Sequence, residues 1–306
     1  MLRNAYNAVT ELNIGECKYI PKSHMEVFNG VYDSDVGVVE LKLQRGLTNA
    51  YEDMLWTNYI TSVNDYTAAR LLSNKSSGAS AWMLATPVDD VCKMSSMEYR
   101  VACNVKHSTV TSVSGKCTCK DMMTMDHVLT CSHGGAVIMK HDMIVDALHK
   151  ELVRYRCVVR KEVQVTGNAK DRMDLIVYHN GTEIWADVTV GHPTCKTYMQ
   201  AGSHEHEGKT AMMRERAKDV SWSDLSKEQG ATFMPCGVET SGRLGKGFDG
   251  FLSMMSKSIC ESDGGLKVND VKWRLVTAVS MALQRGNVKC IEVAQRRMIE
   301  RDCGGI

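Results

Sequence analysis

Between residues 136 and 155 the chain reads AVIMKHDMIVDALHKELVRY, and Val137, Ile138, Ile144, Val145, Leu148 and Leu152 recur at helical spacing. That pattern predicts an amphipathic helix with one face against a core. The period then changes. RCVVRKEVQV (156–165) alternates as a strand does, Gly167 and Asn168 mark a turn, RMDLIVYH (172–179) makes a second strand and TEIWADVTV (182–190) a third. Asn180-Gly181 between the last two is the strongest short hairpin signal, so these strands are expected to pair antiparallel. A long polar helical stretch, EGKTAMMRERAKDVSWSDLSKEQ (207–229), and a fourth strand, ATFMPCGVE (231–239), follow. The order helix, three strands, helix, strand implies an α/β (α+β) fold, a mixed sheet with helices packed on it.

Outside this block the pattern is mostly helical. Residues 1 to 72 carry short helical runs such as NDYTAARLL, with no recognisable chemistry. SNKSSGAS (73–80) has the composition of a linker, and Ser95, Ser96 and Glu98 suit a helix start. Residues 243 to 302 read as two or three helices, VKWRLVTAVSMALQRG being the clearest. The expected division is a helical lead-in at 1–77, linker helices with a cysteine-rich segment at 78–135, the α/β core at 136–242 and C-terminal helices at 243–306.

Composition narrows the class without naming a function. Of 306 residues 43% are apolar and 24% charged, the profile of a soluble globular chain. No run of eighteen apolar residues occurs, and the first twenty residues lack a signal-peptide pattern, so an intracellular protein without a membrane partner is expected. Twelve cysteines spread over the chain fit a reducing compartment better than a disulfide framework. A net charge of +1 gives no global signature of nucleic-acid binding. Local basic groups remain: Arg154, Arg156, Arg160, Lys161, Lys170 and Arg172 in one segment, and Lys209, Arg214, Arg216 and Lys218 in another.

Two clusters carry candidate chemistry. In CTCKDMMTMDHVLTC (117–131), Cys117 and Cys119 form a C-x-C pair, and His127 and Cys131 an H-x3-C pair on one face of a helical turn. Zinc takes four such ligands tetrahedrally, with His133 as a substitute, whereas a chance grouping among twelve cysteines is the alternative. The histidines of HEHE (204–207) make a weaker candidate, more simply read as solvated. The second cluster is acidic. Asp174 and Asp187 lie on neighbouring strands and can converge on one face, where a buried pair either binds a divalent ion such as Mg2+ or shifts a pKa. With an activated water that arrangement hydrolyses phosphodiesters; the alternative places one or both at strand ends in solvent. Glu162 offers a third carboxylate or else pairs with a basic neighbour, and His141 faces the sheet, either near the site or as a core histidine.

Taken in order, the cysteine-rich segment, Gly134-Gly135, KHDMIVDAL, RMDLIV, ADVTV, ERAKDVSW and FMPCGVETSGRLG resemble the C-terminal region of non-long-terminal-repeat retrotransposon proteins that carry a restriction-like endonuclease, over about residues 78 to 255. The resemblance implies a CCHC zinc knuckle ahead of a PD-(D/E)xK nuclease core. It assigns catalytic Mg2+ or Mn2+ to Asp174 and Asp187, structural Zn2+ to the knuckle, and DNA, with element RNA and an upstream reverse transcriptase segment, as partners. A nuclear DNA endonuclease that nicks its insertion target is the implied function. Met173 stands where the family often has proline, and Thr189 where the D-x-K lysine of the wider superfamily lies. Lys218 matches a lysine that the family places on the following helix, with Lys209 as fallback. The missing D-x-K lysine leaves open a catalytically inactive nucleic-acid-binding module on the same fold, and an unrelated zinc-stabilised α/β domain is a third reading. No Tyr-x-Asp-Asp motif occurs, so polymerase activity is not expected.

Overall fold

The computed structural model describes residues 49, 51–108, 115–168, 171–179 and 181–303. The chain divides into two compact units, Met1–Asn64 and Asp65–Ile306. In the first, the described residues 51–62 are helical; most of the lead-in lies outside the described residues.

The second unit runs α1 (Asp65–Asn74), α2 (Ser77–Leu84), α3 (Ser96–His107), α4 (Met125–Thr130), α5 (Ala136–Arg154), β1 (Val158–Gln164), β2 (Arg172–His179), β3 (Thr182–Gly191), α6 (Lys196–Gln200), α7 (Lys209–Glu228), β4 (Thr232–Glu239), α8 (Lys246–Ser262) and α9 (Val268–Cys303). The four strands form one mixed sheet in the order β1-β2-β3-β4. β1–β2 and β2–β3 are antiparallel and β3–β4 parallel, so α7 is the crossover that a parallel pair requires. The pairing of His179 with Thr182 closes the predicted hairpin in two residues, and Gly181 takes φ 76°, which glycine adopts without strain. Pro235, lacking an N–H, sits on the edge strand β4, where one side of the backbone needs no partner.

One face of the sheet carries the main core. Leu175 and Val177 of β2, Ile184, Ala186 and Val188 of β3, and Cys236 and Val238 of β4 meet Ile144, Leu148 and Leu152 of α5, Phe248, Phe251 and Met255 of α8, and Leu275 and Val279 of α9. The C-terminal helices therefore belong to this core. α5 and α9 approach closely because Gly286 has no side chain; a Cβ there would lie 2.6 Å from Cγ of the fully buried Lys140. Lys140 donates to Leu129 O (2.8 Å), tying α5 to the end of α4. On the opposite face a smaller cluster joins Met173, Ile176 and Trp185 to Ala231, with Trp222 and Leu225 of α7 packed against it.

The expected linker at 73–80 is corrected: it is the junction of two helices. Ser76 caps α2 by accepting from Ala79 N, and Gly78 and Ala79 are buried, with Gly78 so close to Gly242 O that a Cβ would lie 2.6 Å from it. Small residues here serve close packing, which composition cannot distinguish from flexibility. The helix start at 95–98 is a capping box, Ser95 accepting from Glu98 N while the Glu98 side chain accepts from Ser95 N.

Candidate active site and metal centre

The β2–β3 ladder stops at Leu175–Ala186, one step before Asp174 would face Asp187. The strands part there, and the Asp174 side chain enters the gap, its Oδ2 accepting the Val188 N–H at 2.6 Å. His141 of α5 places Nε2 3.0 Å from the same oxygen and 3.1 Å from Val188 O. From the other side Lys218 of α7 donates from Nζ to Asp187 Oδ2 at 2.8 Å. Each carboxylate is thus pinned through Oδ2, and among the described residues neither Oδ1 has a donor bonded to it. The two carboxyls lie close enough to share a hydrogen bond when one is protonated.

Charge follows from this geometry. Burial, then the negative charge of Asp174, push the Asp187 carboxyl up to about 6 against the pull of Lys218. Burial also acts to raise Asp174, but the His141 hydrogen bond and charge outweigh it and hold it below the usual carboxylate range. His141 is opposed by burial yet raised to about 9 by Asp174 and Asp142. At neutral pH a protonated histidine and an ammonium therefore flank an acidic pair that repels itself. The pair offers two hard oxygen ligands of like charge, the donor type that a divalent cation takes.

Glu215 fixes how α7 presents Lys218. Its carboxylate accepts from Gly237 N (3.2 Å), Gly247 N (3.1 Å) and Phe248 N (3.0 Å), locking the helix to β4 and to the start of α8. A Cβ at Gly237 would lie 2.8 Å from Ala211 O and at Gly247 2.4 Å from Pro235 O, so both glycines permit the approach. Sequence reasoning missed Glu215, because nothing local marks one glutamate of a polar helix as buried.

The structure places three further sequence candidates. Glu162 does not join the acidic pair: it takes φ 56°, interrupts the β1–β2 ladder and pairs with Arg172 at 3.1 Å, the salt-pair alternative. Lys209 opens α7 nine residues before Lys218, about 13 Å along the axis, and plays no part at Asp187. The basic segment is largely paired: Arg154 with Asp89, Lys161 with Asp146, Arg172 with Glu162, and Arg160 with the Tyr178 hydroxyl. These pairs are exposed, and an exposed pair is worth so little that phosphate can displace the acid.

The cysteine-rich segment folds into a second centre. A bridge between Lys116 and Met122, with Cys117 N bonded to Asp121 O, turns the chain so that Cys117 and Cys119 face α4. Thr124 caps α4 by accepting from His127 N, and Cys131 ends it. The ligand atoms of Cys117, Cys119, His127 and Cys131 all lie within 4.8 Å of one another, a group that can hold a metal ion. Cys117 Sγ is 3.7 Å from Cys131 Sγ, and Cys119 Sγ 3.4 Å from His127 Nε2. Burial acts to raise the Cys117 thiol, but the Cys119 N–H and the His127 ring bring it down to about 5. Burial and the Cys117 sulfur push Cys131 up to about 11. Crowded thiols that cannot all ionise alone are what a bound cation relieves. His127 Nδ1 lies 3.7 Å from Asp121, the carboxylate partner a metal-bound imidazole typically has. His133 is outside the four, and no metal-type group forms at HEHE among the described residues, where Glu207 pairs with Lys75 and Arg243.

Comparison of the chain with protein-family models and with curated proteins gives no match to either. No helix among the described residues is long and apolar enough to cross a membrane.

Proposed function

We propose that the chain is a divalent-metal-dependent DNA endonuclease built on a restriction-like core, with a zinc knuckle beside it. The observation that carries this reading is the convergence of Asp174 and Asp187 at the point where β2 leaves β3, between His141 and Lys218. The helix, three strands, helix, strand order around that point, with the short α6 inserted, supports it. Asp174 and Asp187 would hold Mg2+ or Mn2+, which when bound supplies Lewis-acid charge for a phosphate oxygen and acidifies a water. The residues of the chain do the rest. His141 and Val188 N hold Asp174 in one orientation, and Lys218 brings a cation to the face of Asp187 where it can orient the attacking water or offset developing negative charge. The cysteine–histidine group would hold Zn2+ as a structural ion.

Nicking of supercoiled plasmid in Mg2+ or Mn2+ tests the reading directly. Relaxation is expected, and DNA binding without cleavage in either metal selects the inactive binding module instead. The pH profile adds a second check. Asp187 must lose its proton to serve as a ligand, and its carboxyl titrates at about 6, so the nicking rate is expected to rise up to about tenfold per unit below pH 6 and to level above it. A rate independent of pH from 5 to 7 would contradict a buried Asp187 ligand.

A further inference from the structure

The sequence leaves Thr189 where a lysine is expected, and the structure shows what stands over it. Asp187, Thr189 and Gly191 alternate onto one face of β3, about 6.5 Å apart. Thr210, Arg214 and Lys218 recur every four residues along one face of α7. The two rows run against each other. Lys218 meets Asp187; Arg214 Nε donates to Thr189 Oγ1 at 2.7 Å; and Thr210, with the Arg214 stem, covers Gly191. A Cβ on residue 191 would come 2.5 Å from Thr210 Cγ2 and 3.1 Å from Arg214 Cγ, so the bare glycine gives the arginine its bed.

The guanidinium is held at one end only. Arg70, Arg154, Arg172, Arg243 and Arg274 each grip a carboxylate, whereas Arg214 forms no ion pair among the described residues. Thr189 is buried and engages Nε alone, and Nη1 and Nη2 have no partner among the described residues. An anchored fork with two unused donors, beside an acidic pair and an ammonium, matches the two non-bridging oxygens of a phosphodiester.

We infer that Arg214 is a second cation of this site, clamping a phosphate of the bound DNA strand through Nη1 and Nη2 while Thr189 fixes its orientation. The inference rests on the endonuclease reading for its ligand. It splits the work of the absent lysine: Arg214 supplies a fixed charge and a fork aimed at phosphate, while Lys218 stays at Asp187 to orient the attacking water.

The test uses the full chain and a labelled 30-base-pair duplex in Ca2+, followed by anisotropy over a range of salt. Arg214→Ala is expected to weaken binding about 5- to 20-fold and to lower the salt slope by about 1. Arg214→Lys, which keeps the charge but loses the fork, should recover only part of the affinity. Thr189→Val, which removes only the tether, should fall between wild type and Arg214→Ala. Wild-type affinity and slope in Arg214→Ala would overturn the inference whatever the nicking assay shows. If Arg214→Ala loses affinity while the wild-type chain never nicks DNA in Mg2+ or Mn2+, Arg214 stands as a phosphate contact and the endonuclease reading falls.

Discussion

Asp187→Asn is expected to abolish metal-dependent nicking, by 1,000-fold or more, while making the protein more stable. The two effects share one cause. Asp187 is 3% exposed, and burial beside Asp174 raises its carboxyl from 3.8 to about 6. A carboxyl raised in the folded state binds more protons there than in the unfolded chain, so stability falls as pH rises through that window. About two units at roughly 1.4 kcal/mol each make a cost on the order of 3 kcal/mol, fully present above pH 6 and absent near pH 4. Asparagine removes the charge and can donate to Asp174. Lys218 loses its partner, but its side chain is 32% exposed and solvates at a cost of up to about 1 kcal/mol. The net gain is about 1–3 kcal/mol at pH 8, a rise in Tm of roughly 3–8 °C without added divalent ion, shrinking toward pH 4. Asp174→Asn should lose activity equally without that gain, because His141 then loses its carboxylate partner. Thermal melts and plasmid nicking on both variants decide the matter. An Asp187→Asn protein that still nicks at the wild-type rate removes this residue from the site.

Stripping the cysteine–histidine centre should have the second-largest effect. α4 spans six residues, too few to persist alone, and its Val128 and Leu129 pack with Met123, Ala136, Cys290 and Ile291 in a cluster separate from the main core. α4 itself is held by Asp126, which bonds Arg70 and the buried His192, and by Lys140 at Leu129 O, but the turn that carries Cys117 and Cys119 reaches it through the four ligands. About one zinc per chain is expected by elemental analysis after purification without chelators. Removal by a strong chelator should lower Tm by about 5 °C or more and open the segment 115–131 to proteolysis. Cys131→Ser should mimic the chelator, and His133→Ala should leave zinc bound. Chelation that changes neither melting nor thiol reactivity would show that the four side chains meet without a structural ion.

Where a local signal decided structure, the chain was legible. Asn180-Gly181 and the flanking alternation placed β2 exactly at 172–179 and β3 to within a residue, and that register brings Asp174 opposite Asp187. The spacing of His127 and Cys131 located the second centre for the same reason, since four residues make one helical turn. Tertiary decisions stayed hidden. Lys140 and Glu215 look like solvated positions on helices and are buried, each satisfied by backbone groups of other elements. Residues 73–80 looked flexible because small side chains serve close packing and linkers alike. The basic run from 154 to 172 looked free, because its acidic partners Asp89 and Asp146 lie on other elements. Arg214 belongs with these: only the pairing of the α7 row with the β3 row shows what it faces.

The most direct measurement is an anomalous difference map from crystals soaked in Mn2+, recorded at an energy below the zinc edge. The account predicts a peak within about 2.5 Å of carboxylate oxygens from both Asp174 and Asp187, absent in Asp187→Asn crystals. A well-ordered site with both carboxylates in place and no manganese between them would contradict it.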